Sequence, residues 1–311
     1  MTSVTRDFSY TGAVDSLGAL AHHGGLLVDR PELTVGLLTA ISRTSGLEIE
    51  LVARQPLDRR DTEQRKREMR QRVEPAPRRL LPRFDEGEDL RVGRLAGDRV
   101  DWLFANQAST SSGDHHEGTF GPSVQATLLL PATYDTVDLV FAWPEIGFTE
   151  TVVTLALPDH ATVTQATVDV WQAPLHVLPA PALSKEDQAG YADRVAVESG
   201  TSVAAPQVLN RGEDAVVVLR RLNVLDSLVS LVVESIGPAS DIRVRNTPAI
   251  AVLNGTEATW LRPGDGGTSG DGTVTHTDTE FRAARPEGDV LDLLVGWPQS
   301  GLGNVRVQFR I

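Results

Sequence analysis

The chain has 311 residues, 41% of them apolar and 23% charged, with a formal net charge of −13 and no cysteine. That length and apolar share can supply cores for two ordinary domains and argue against wholesale disorder. The lack of thiols removes disulfides, thiolate catalysis, iron–sulfur clusters and Cys-type zinc sites, and the acidic balance argues against nucleic-acid binding over the whole surface.

The chain opens without a basic start followed by an apolar stretch, so no secretory signal is visible. Apolar runs such as 139–143 and 215–219 fall far short of the ~20 residues a membrane-spanning helix needs. Both observations favour a cytoplasmic protein with no membrane contact. Lys66 and Lys185 are the only lysines, an arginine bias in keeping with a GC-rich bacterial genome.

Period-two alternation bounded by Gly, Asp, Pro and Ser predicts strands at 34–41, 47–53, 100–105, 124–130, 136–142 and 151–157. A connector over 158–188 follows. Its alternating segment 162–171 reads as an extra edge strand, 174–182 as a Pro/Ala linker, and a short helix can start near Ser184. Strands resume at 215–222, 228–234, 249–253, 258–261, 290–295 and 305–311.

The two series repeat one another. At an offset of 181, residues 26–35 lie over 207–216 and Leu47 over Leu228; the offset falls to 158 where Trp102 meets Trp260. It settles at 154 where Trp143-Pro144 and Gly147 meet Trp297-Pro298 and Gly301. Each change falls in a polar, Gly- or Arg-rich stretch that tolerates insertion. The fold class expected is therefore mainly β, with two tandem β-sandwich-like domains related by internal duplication, over 1–157 and 189–311.

One feature belongs to the first series alone. From 54 to 83 there are eleven arginines and lysines against five acids, and Leu47 to Trp102 spans 23 more residues than Leu228 to Trp260. Its 57–83 portion reads as a basic arm. Arg59, Arg60, Arg65, Lys66, Arg67, Arg70 and Arg72 are the candidate partner-binding residues, suited to an acidic protein surface. An exposed arm folded back on the acidic body is the plainer alternative.

Two polar stretches, 109–118 and 264–280, occupy matching places. Asp114, His115, His116, Asp271 and His276 are their candidate metal ligands, since Asp oxygens on Gly-rich turns suit Ca²⁺ and paired His suits a transition metal. Their spacing matches no known loop, and solvated hairpin turns are the plainer reading. Trp102, Trp143, Trp260 and Trp297 could stack on sugars, but strand-end tryptophans before Pro more often close a core. No catalytic motif is present and no cofactor is expected. The function this supports is a non-enzymatic protein-binding or structural protein. The alternatives are a ligand- or metal-binding module and, behind it, a carbohydrate-active hydrolase.

Overall fold

The computed structural model describes residues 15–56, 67, 80, 90–103, 105–111, 120–189, 200–238, 247–270 and 273–311. In chain order the first half runs β1 (Ala19–His22), β2 (Gly25–Arg30), β3 (Leu33–Arg43), β4 (Gly46–Pro56), β5 (Arg91–Ala96), β6 (Arg99–Trp102), β7 (Ala105–Ser111), β8 (Phe120–Leu130), β9 (Thr136–Trp143) and β10 (Phe148–Ala156). The connector carries α1 (His160–Ala166), β11 (Leu178–Pro179) and β12 (Lys185–Gln188). The second half runs β13 (Gly200–Ser202), β14 (Gln207–Arg211), β15 (Val216–Leu225), β16 (Leu228–Pro238), β17 (Ala249–Asn254), β18 (Glu257–Trp260), β19 (Pro263–Gly270), β20 (Val274–Ala284), β21 (Val290–Trp297) and β22 (Leu302–Arg310).

The protein is mainly β, and one strand order occurs twice. The large sheet of the first half runs β1-β3-β4-β8-β7 with β2 also on β3; its counterpart runs β13-β15-β16-β20-β19 with β14 on β15. The small sheets run β10-β9-β5-β6 and β22-β21-β17-β18, the latter extended by β11 and β12 at its two edges. Leu47, Ile49, Leu51 and Ala53 alternate along β4 and are wholly buried with Leu139 and Phe141 of β9, so the first core fills the space between its two sheets. Val229, Leu231 and Val233 of β16 join Leu291, Leu293 and Val295 of β21 in the same way.

Cross-strand register fixes which residues correspond. Trp102 pairs with Gly93 and Trp260 with Ala251, which preserves the offset of 158. The turns between these strands use Gly97 (φ 67°) and Gly255 (φ 65°), left-handed positions that strain other residues. Trp143 and Trp297 each precede a single 3₁₀ turn, at φ −148°, ψ 76° and φ −145°, ψ 72°. Gly147 and Gly301 end those turns at φ 81° and 77°, donating to the Pro144 and Pro298 carbonyls at 3.0 and 3.1 Å. At the start of each half the offset of 181 is one residue short. Leu37 pairs with Leu51 and Leu219 with Val233, a relation of 182. Side chains alternate faces, so the slip sets Val35 of the core against Val216, which faces away from it.

Three local expectations change. The segment 162–171 is not a strand throughout: Asp159 caps α1 by accepting the Thr162 N–H at 2.8 Å, and Val163 is the helix's buried residue. Only its continuation is extended, where Val168 and Val170 exchange backbone bonds with Leu17 and Asp15. Residues after Ser184 form β12 instead of a helix, pairing parallel with β18. The stretch 264–280 is mostly the hairpin β19–β20, and 109–111 belong to β7.

Candidate functional site

The faces of the two large sheets that point away from their cores carry charge. Along β4, Glu48 and Glu50 lie opposite the core-facing Leu47, Ile49 and Leu51. Along β15, a bulge between Leu219 and Arg221 adds a residue, so Arg220 and Arg221 both stand between the apolar Leu219 and Leu222. β16 contributes Glu234, and β20 contributes His276, Asp278, Glu280 and Arg282 at every second position.

These groups meet across the two halves. Arg220 ion-pairs with Glu48 of the first half and donates to Glu234 at 2.8 Å. Arg43 donates to Glu48 at 2.8 Å and to the Ser16 carbonyl at 3.0 Å. Arg221 ion-pairs with Glu50, which also accepts from Gln125 at 2.7 Å. His276 Nδ1 lies 3.2 Å from Glu234 Oε1, and Glu280 accepts from Ser230 at 2.8 Å and from Arg282 at 2.6 Å. The side chains of Glu234 and Arg221 are only 3% and 5% exposed. Beside this lattice lies an apolar patch of Leu17, Val170, Ala173, Val208, Val216, Val218 and Ile236, and Arg211 donates to the Val170 and Ala173 carbonyls at 2.9 Å. Farther along, His23 and Ser202 are joined by two hydrogen bonds, at 2.7 and 2.8 Å.

Electrostatics follow from burial. Burial raises the Glu48 and Glu234 carboxyls, but Arg220 and Arg43 outweigh it for Glu48, and the hydrogen bond from His276 and the charge of Arg220 together outweigh it for Glu234. Both end below the usual carboxylate range. Glu280 also falls, because Arg282 outweighs its burial. Asp278 is pushed up to about 6, first by burial and then by Glu234, its direct cross-strand neighbour; Arg220 opposes the rise. The hydrogen bond to Glu234 raises His276. The ion pairs of the lattice bind one half to the other.

Most of the residues singled out from sequence fall outside the described ones. Arg59, Arg60, Arg65, Lys66, Arg70 and Arg72 lie outside the described residues, and Arg67 is exposed. Asp114, His115, His116 and Asp271 also lie outside them, while His276 is committed to Glu234. Among the described residues, no three His, Asp or Glu groups are placed to hold a metal ion. Trp143 and Trp297 are buried in the two cores, and Trp102 and Trp260 are half-buried on the small sheets. Sequence reading missed Glu48, Glu50, Arg220, Arg221, Glu234 and Asp278. Their one signal is charge inside apolar strands, as in Val218-Leu219-Arg220-Arg221-Leu222.

No family model matches the chain, and no curated protein matches it. Among solved structures, a conserved domain protein from Bacillus anthracis aligns over 94% of this chain and 90% of its own, at 11% identity and a TM-score of 0.23. The N-terminal periplasmic domain of ScsB from Proteus mirabilis aligns over 94% and 99%, at 13% identity and a TM-score of 0.20. Likenesses this low carry no argument about fold or function.

Proposed function

We propose that this chain is a non-enzymatic protein-binding or structural protein, built from two duplicated β-sandwiches fastened back to back. The observation that carries the reading is the Glu48–Arg220–Glu234 chain of contacts. Among the described residues the buried charge gathers between the halves, where a catalytic site would present such groups to a substrate. Binding then falls to the periphery, and the basic arm over 57–83 is the feature best suited to an acidic protein partner.

Binding to immobilised polyglutamate, compared between the intact protein and one with residues 57–77 replaced by a short Gly/Ser turn, tests this. A salt-sensitive association that the replacement abolishes supports the reading. Equal binding by both proteins removes the arm from the function.

A further inference from the structure

The two small sheets end differently. In the second half, β12 adds a parallel strand to the outer edge of β18, with Lys185 opposite Glu257, Glu186 opposite Ala258 and Gln188 opposite Trp260. Backbone bonds bracket the pairing: Ser184 N–H donates to the Thr256 carbonyl and Ala189 N–H to the Trp260 carbonyl, both at 2.9 Å. The Trp260 indole N–H donates to Glu186 at 2.8 Å. In the first half, β6 stands in the place of β18, with the same register on β5 and with Trp102 where β18 has Trp260. Among the described residues nothing pairs with the outer edge of β6.

An open edge strand presents a row of backbone donors and acceptors ready for another strand. Leu103 N–H turns inward to the Val92 carbonyl, as Leu261 N–H turns to Ile250. Alternation therefore points the N–H groups of Val100 and Trp102 outward. At one position the charge is reversed: where β18 has Glu257 facing Lys185, β6 has the exposed Arg99, while Asp101, in the place of Thr259, is paired with Arg94 of β5 at 3.0 Å.

We propose that the β6 edge binds an extended acidic segment of a partner protein as an added parallel strand. An acid stands opposite Arg99, and a Glu opposite Val100 reaches the Trp102 indole. Main-chain bonds supply the affinity and these two acids the selectivity. The inference rests on the protein-binding reading but uses a surface separate from the basic arm.

The test titrates the full-length protein with a synthetic peptide copying residues 182–189 and carrying Lys185→Glu, and follows the five tryptophan indole signals by NMR, assigned with Trp102→Phe and Trp260→Phe. The Trp102 signal should move, and the unaltered peptide should bind about tenfold more weakly for want of one charge-assisted contact. Val100→Pro removes an outward N–H at an edge where proline is tolerated, so it should keep the fold and cost at least about tenfold in affinity. A static Trp102 signal, movement of Trp260 alone, or equal binding by Val100→Pro would overturn the proposal. So would a Trp102 response that appears only after residues 1–9 are removed, which would give the edge to the chain's own N-terminus. Replacing the arm over 57–77 should leave this binding unchanged, which separates failure of the edge from failure of the arm.

Discussion

Arg220 of the second half and Glu48 of the first form an ion pair between two sheets that each have a complete core elsewhere. Both side chains are nearly shielded from water, at 14% and 13% exposure, and each has a second partner of opposite charge, Glu234 for Arg220 and Arg43 for Glu48. Removing one partner of such a pair leaves the others buried and uncompensated.

Arg220→Met should therefore cost about 3–5 kcal/mol. By calorimetry the intact protein should unfold in a single transition and the variant in two, one per half. A shift below about 0.5 kcal/mol would mean that water already screens the lattice.

Stability should peak on the acid side of neutrality. His276, raised above 6.5, contributes stability that is full at low pH and is lost as pH climbs through its folded value. Asp278, raised from 3.8 to about 6, also holds its proton more tightly when folded, so it too loses stability as pH rises between those values. Glu48, Glu234 and Glu280, lowered from 4.5, act oppositely and lose stability as pH falls below that value. The melting temperature should thus be highest near pH 5 to 6. Asp278→Asn should raise stability at pH 8 by about 1–3 kcal/mol and change it little at pH 4; a gain of equal size at both values would break this account.

Trp297 closes the second core, and its ring sits so near Gly237 that a Cβ built there would lie 2.8 Å from Trp297 Cη2. Trp297→Ala should cost about 3–5 kcal/mol in chemical denaturation. Gly237→Ala should also destabilise, since a closely packed ring and a sheet backbone can each yield little.

The basic arm is expected to be dispensable for folding up to a point. Among its residues Leu80 donates its N–H to both Glu150 oxygens, at 2.9 and 3.0 Å, on β10. Replacing residues 57–77 with a Gly/Ser turn should leave the melting temperature within about 2 °C, a shift of no more than about 1 kcal/mol. Extending the replacement through Leu80 should lower it measurably by removing the Leu80 hydrogen bond to that carboxylate. Equal melting temperatures for both replacements would make the Leu80 contact irrelevant to stability.

The sequence was legible where one face of a strand is apolar and the other wet. Leu47 to Ala53 and Leu291 to Val295 announce their inward faces at period two, and the Trp-Pro-x-x-Gly corners mark equivalent points in both halves. It was illegible where the supposedly wet face is covered. β20 reads Thr275-His276-Thr277-Asp278-Thr279-Glu280, polar on both sides, because one side meets the other half through charge. A segment like that looks like a loop. The insertion of Arg220 by a bulge likewise leaves no periodic trace, although β3 carries the matching bulge between Leu37 and Thr39.

The connector has its own consequence. Residues 168–173 are held by Asp15 and Leu17 on one side and by Arg211 on the other, whereas 178–188 are laid along the second small sheet. If a protease nicked the chain between Pro174 and Val177, the pieces would remain a non-covalent complex. Each would expose the charged back of a sheet whose matching half is the other fragment. Mixed in solution, they should reassemble as a heterodimer, with an association rate that falls steeply as salt is added.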